Sequence, residues 1–148
     1  MQTSLRSLLT STLAAYLAQR PDLPQVHSEV DDKTPEPPYV LVRIAELSPL
    51  DPGESEIHEG RIIVAARTPE TDQAAAAEAL ADRLRAAFAP EEIPGLFGFA
   101  ASRDLVLSAL YPLESDVQID DHGWVIGQAL HVIAEAATPH ETFAAPAP

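Results

Sequence analysis

The chain has 148 residues, enough for one domain with a real core and too few for two. Its 46% hydrophobic content excludes a disordered chain, and the absence of cysteine excludes disulfides, thiolate nucleophiles and cysteine-based zinc sites. Asp and Glu number 23 against 9 Lys and Arg, and a net charge of -14 repels phosphate backbones, which sets aside nucleic-acid adhesion as the main role.

Residues 4–18 place Leu5, Leu9, Leu13 and Leu17 four apart with Tyr16 beside them, which predicts an amphipathic helix. Thr3 or Ser4 can cap its start and Pro21 stops it. Ser and Thr interrupt its apolar stretch and no cleavage site follows, so it reads as a helix of the fold and not as an export signal. The apolar runs elsewhere are only a few residues long, too short to span a bilayer. QVHSEV is short and favours strand, and the prolines at 35, 37 and 38 make a stiff connection.

Tyr39–Leu47 reads as a strand with Val40, Val42 and Ile44 on one face. HEGRIIVAAR reads as its antiparallel partner, with Ile62, Val64 and Ala66 together. Pro52-Gly53 suits a type II turn in the acidic loop between them. Residues 71–89 predict a second helix, Ala- and Leu-rich, capped by Thr71 or Asp72 and ended by Pro90. Leu80, Leu84 and Phe88 form its buried stripe, and Ala77 and Ala81 allow close approach to a sheet. IPGLFGF reads as a turn-rich bridge. A strand around Leu105–Tyr111, the segment VQID, and a long strand from Gly123 to Ala136 follow. That last strand is largely apolar on both faces, as in a central strand or one buried again by a partner. From Thr138 the Pro/Ala-rich end predicts an extended, flexible tail beyond a single domain of residues 1–137. Helices and runs of antiparallel strands together indicate an α+β fold. The expected core is an antiparallel or mixed sheet of four to five strands, packed by the N-terminal helix and the central Ala-rich helix.

Little in the chain carries chemistry. None of the five histidines is paired at metal-ligand spacing, and His58-Glu59 lacks a second His one helical turn away. His131 sits in an apolar strand, where a hydrogen-bonded core or interface residue is expected. There is no G-x-S-x-G elbow and no glycine-rich phosphate loop. The acids Glu46, Asp51, Glu54, Glu56 and Glu59 read as a solvated run and lack the tight alternating spacing of a calcium loop. The sequence DDHGW, at 120–124, offers two carboxylates beside an imidazole, but it separates two strand-like segments. Asp can start a turn by bonding its own backbone and Gly123 can close it, leaving Trp124 as an anchor for the core or a subunit contact. No catalytic, cofactor-binding or metal residue is therefore assigned, and neither an enzyme nor a cofactor is expected.

The order of PEPPYVLVRIAEL, HEGRIIVAAR, AAAAEALADRLRAAFA, LVLSALYPLESDVQ and GWVIGQALHVIAEA, after an amphipathic helix, resembles the tail terminator (tail-completion) proteins of tailed bacteriophages and related particles. The resemblance spans about residues 1–136 and rests on the pattern and lengths of elements. It implies a structural virion protein that assembles, in the host bacterial cytoplasm, into a hexameric ring on the finished tail tube. Such a ring ends tube polymerisation and offers a joining surface to neck and head-completion proteins. DNA passes through it without specific binding, and no membrane is involved. The acidic charge suits a lumen through which DNA slides. Candidate interface residues are Asp51, Glu54, Glu56, Glu59, Arg61, Asp121 and Trp124. Two other classes compete. A small acidic secretion chaperone would form dimers and bind an effector segment, although the Pro-rich entry at 34–38 and the long 48–59 loop are features it does not need. An enzyme would rest only on loosely placed His and carboxylates.

Overall fold

A computed structural model of the chain describes residues 4–29, 36–50, 56–69 and 73–137. Helix α1 (Leu5–Ala18) begins where the Ser4 hydroxyl accepts the Ser7 N–H, one of the donors that a helix start leaves unpaired. Strand β1 (Gln25–Ser28) lies parallel to β2 (Tyr39–Pro49), and β2 turns back antiparallel as β3 (His58–Thr68). Helix α2 (Ala74–Ala87) follows, then a short 3-10 turn at Pro90–Glu92, helix α3 (Ile93–Ala101), and the long antiparallel pair β4 (Leu105–Asp120) and β5 (Gly123–Ala136). The sheet runs β1-β2-β3-β5-β4, so the fold is α+β with a mixed five-stranded sheet.

One face of that sheet holds the core. Val40, Val42 and Ile44 of β2, Ile62, Val64 and Ala66 of β3, and Ile126, Leu130 and Val132 of β5 are buried beneath the helices. Helix α1 contributes Leu9, Leu13 and Leu17, and α2 contributes Ala77, Leu80, Ala81 and Leu84, so its small alanines do sit against the sheet. The Tyr16 hydroxyl donates to Ala87 O at 2.8 Å, and its ring meets Phe88 and Phe99, locking the three helices together.

The structure corrects the sequence reading in three places. IPGLFGF is a helix and not a turn-rich bridge. Pro94 lies in its first turn, where a missing N–H costs nothing, and burial of Leu96 and Ala100 outweighs the poor helix propensity of Gly95 and Gly98. The Leu105–Tyr111 strand and VQID are one strand, β4, continuous across register shifts between Leu107 and Ala109 and between Pro112 and Ser115. The N-cap of α2 is Gln73, with no side-chain capping bond. Thr71, Asp72, the Pro52-Gly53 turn and the 138–148 tail lie outside the described residues.

Candidate functional site

All three helices pack on one face of the sheet, and the positions that alternate with the core form the other face. Register places these residues in transverse rows. Leu41, Ala65, Gly127 and Asp116 make one row; Arg43, Ile63 and Ala129 make the next; Glu46, Arg61, His131 and Tyr111 make a third. On β3 and β5 the middle of the face is apolar, Ile63, Ala65, Gly127 and Ala129, flanked by Arg43 on β2 and Asp116 on β4, and further charged residues lie towards both ends of the strands.

At one end is a shallow cavity of about 220 Å³ lined by Glu46, Ser48, Glu59, Gly60, Arg61, Leu113 and His131. Two bulges shape it. A shift in β2 between Ile44 and Glu46 turns Glu46 onto the open face opposite Arg61. Gly60 tolerates that bulge because it has no side chain: a Cβ there would lie 2.2 Å from Glu46 O. The bulge in β4 after Pro112 leaves Leu113 and Glu114 out of register, and the buried Gln128 amide spans it, donating to Leu113 O at 3.4 Å. Arg61 crosses β5 to pair with Glu114. The His131 ring stacks on Tyr111 with centroids 4.9 Å apart, and its Nε2 lies 3.8 Å from Glu59 Oε2, an ion pair only when the imidazole is protonated. The arrangement offers three carboxylates, a paired guanidinium and an aromatic stack to a side chain arriving from outside.

The other end of the face is the β4–β5 turn. Asp120 pairs with Gly123 across a two-residue connection, and Gly123 takes φ 124°, the positive angle that favours glycine. Asp120 Oδ1 accepts the His122 N–H at 2.8 Å, the local bond that starts an Asx-type turn. Both Asp120 carboxylate oxygens also accept from Arg67, at 2.9 and 3.0 Å. The Arg67 bonds first, and the His122 N–H second, hold the Asp120 carboxyl down at about 2. The same bond raises Arg67. DDHGW is a turn stapled to β3.

Of the candidate interface residues, Glu59 and Arg61 line the cavity. Glu56 is exposed, its carbonyl 3.0 Å from His58 Nδ1, and it does not line the cavity. Asp121 is exposed in the turn, and Trp124 packs partly against the core. The two groups are not brought together: Ile133, opposite Glu59, and Trp124 are nine residues apart on β5, about 30 Å of strand. Asp51 and Glu54 lie outside the described residues. Sequence reasoning took Glu46 only as part of a solvated acidic run and gave Tyr111 and Glu114 no role in a site. Alternation puts 111 and 131 on matching faces, but only the two bulges bring Glu46 and Glu114 to them.

Among the described residues, no group of three or more His, Asp or Glu side chains is placed to hold a metal ion. No described helix is long and apolar enough to cross a membrane. No protein-family model matches the chain, and no curated protein sequence is significantly similar to it.

Proposed function

We propose that the chain is a structural subunit of a phage-type tail, one of several copies forming a ring that caps the tail tube, ends its polymerisation and presents the surface for the neck. The observation that carries this reading is the distribution of exposed apolar side chains. Among the described residues, Val106, Tyr111, Leu113 and Ile119 are large exposed hydrophobics on β4, and Leu50 is another, just after the end of β2 on the opposite side of the sheet. Exposed apolar groups gathered on two sheet margins favour association with another protein surface. The order of elements agrees with the tail terminator resemblance, and a net charge of -14 per copy keeps passing DNA from adhering.

The test is the native mass of the full chain over a wide concentration range, with negative-stain imaging. A ring of about six copies with a central opening is expected, and it should bind the ends of purified tail tubes. Monomers or dimers at every concentration would overturn the reading. Dimers that co-purify with one secreted protein would replace it with the secretion-chaperone class.

A further inference from the structure

We propose that a second copy of the chain pairs with the outer edge of β4, antiparallel along residues 105–112, about a two-fold axis between Ser108 and Ala109. The contact goes beyond the ring reading and does not rest on it.

Composition sets this segment apart. β4 is the last strand of the sheet, with β5 on one side and, among the described residues, no strand on the other. Its first half, LVLSALYP, carries no charged residue, whereas its second half holds Glu114, Asp116 and Asp120. Natural sheets avoid an apolar edge without charges, because its unpaired backbone groups accept another strand. Val106 and Tyr111 stand on that edge with 42% and 50% of their surface exposed.

The backbone sets the register. β5 runs beside β3 without a bulge, so its residues turn N–H and C=O alternately to β3 and to β4. Ala137 N donates to Asp104 O, which assigns positions 137, 135, 133 and 131 to the β4 side. Their partners, Asp104, Val106, Ala109 and Tyr111, are therefore committed to β5. Leu105, Leu107, Leu110 and Pro112 turn their backbone groups outward. Their spacing is uneven, because the register shift between Leu107 and Ala109 inserts Ser108, yet it is symmetric about the midpoint of Ser108 and Ala109. A regular strand laid there would face two residues with one, as β5 does. A second copy, antiparallel, meets bulge with bulge. Leu107 then pairs with Leu110 of the second copy, Leu105 pairs with its Pro112, and no residue is left over.

The side chains agree. Between those bonded pairs, Val106 stands opposite Tyr111 of the second copy at a position without hydrogen bonds, where side chains approach most closely. A β-branched residue against an aromatic ring is a favourable cross-strand pair, and the two-fold axis makes it twice. Val106 and Tyr111 both lie on the open face, level with Glu135 and His131, so the pairing continues the sheet without turning it over.

Charge selects this register. Sliding the copies until their second halves meet would bring Glu114, Asp116 and Asp120 of both together, and like charges facing each other destabilise a strand pair. With the axis at Ser108 and Ala109, the acids of the two copies lie at opposite ends of the contact. Each end holds Glu114 with its Arg61 from one copy, and Arg103 and Asp104 from the other, two cations against two carboxylates. Arg103 is exposed and meets no carboxylate among the described residues, only the Phe99 ring at 5.7 Å and the Thr12 hydroxyl at 3.4 Å. The contact supplies it with Glu114 of the second copy.

Cross-linking reads the axis. Because the chain has no cysteine, Val106→Cys with Tyr111→Cys places thiols only at the paired positions. Oxidation should give one covalent species of two chains and no larger one. Either cysteine alone should give none, because like positions stand about 16 Å apart across the axis. Val106→Asp, at an exposed position, should raise the concentration at which half of the chains are paired by about tenfold or more in sedimentation equilibrium, with circular dichroism to check its folding. A ladder of linked chains, equal linking by the single variants, or undiminished pairing of Val106→Asp would overturn the proposal. So would a native chain that is monomeric at every concentration. The ring reading fails separately. Linked dimers from a native chain that never passes beyond two copies would end that reading and leave this contact standing. Native rings whose double cysteine variant gives no linked dimer would end this contact and leave the ring.

Discussion

The same substitution should have opposite signs at Gly60 and Gly98. Gly60 is in β3, hydrogen-bonded between β2 and β5, and an added Cβ would meet Glu46 O at 2.2 Å and Leu47 Cα at 3.0 Å. Both obstacles are backbone, so neither can swing aside. Relief requires β2 to move outward by about 1 Å or its bulge to slip, and overpacking of this kind costs about 1–3 kcal/mol. The restriction that alanine places on the unfolded chain returns about 0.4–1 kcal/mol. Gly60→Ala should therefore lose about 1–2 kcal/mol and lower the melting temperature by several degrees. Gly98 is on the exposed side of α3, where an added Cβ meets nothing within 4 Å. There alanine replaces the poorer helix former at no steric cost, and Gly98→Ala should gain about 0.5–1 kcal/mol. Thermal melts followed by circular dichroism, with urea titrations for the free energies, compare the two directly. A Gly60→Ala protein as stable as the native one would refute the placement of the β2 bulge, and with it the position of Glu46 beside Arg61.

Three further outcomes are expected. Tyr16→Phe removes a buried hydroxyl and leaves Ala87 O without its donor, so urea unfolding should show a loss of about 1–2 kcal/mol with the slope unchanged. Leu130→Ala, at a fully buried position in mid-β5, should cost about 2–5 kcal/mol in the same assay. Asp120→Asn tests the turn by pH. The folded carboxyl sits at about 2, below its ordinary value of 3.8, so its contribution is present above that ordinary value and is lost as pH falls through about 2. Melting temperatures of native and variant protein should differ slightly at pH 6 and converge near pH 2; a constant gap at every pH would contradict the Arg67 pairing.

Much of the fold was legible because its main elements obey simple periods. Leu5, Leu9, Leu13 and Leu17 in α1, and the alternation of Val40, Val42 and Ile44 in β2, declare a buried face wherever the chain puts them. The failures have local causes. Pro94, Gly95 and Gly98 argue against a helix by propensity, and only the packing of Leu96 and Ala100 reveals α3. Gln128 interrupts the apolar face of β5, and its purpose appears only with the β4 bulge whose Leu113 carbonyl it bonds. The cavity was half legible. Glu59 and Arg61 were marked by charge, but Glu46 lines the cavity and Glu114 meets Arg61 only through register shifts that no alternation rule contains. DDHGW was legible as a turn, yet nothing in its own five residues announces Arg67, which lies 53 positions before Asp120.

That distant arginine bears on how β4 is held. Arg61 and Arg67 leave β3 on the same face, cross the intervening β5 and pair with Glu114 and Asp120. The carboxylates of both pairs are open to solvent, which screens the attraction, so the pairs do little for global stability. Their effect is geometric. They fix the outer strand at two points, on either side of Asp116, along the stretch where a bulge and Pro112 weaken the regular ladder. A margin held in this way loses less conformational freedom when a partner docks, and preorganisation of that kind lowers the cost of association. Replacing both arginines, Arg61→Gln with Arg67→Gln, should therefore leave the melting temperature within a few degrees of the native value while weakening assembly measurably. Equal assembly by the double variant would show that β4 needs no such fixing. A melting temperature lower by more than about 10 °C would show that the pairs contribute to the fold itself.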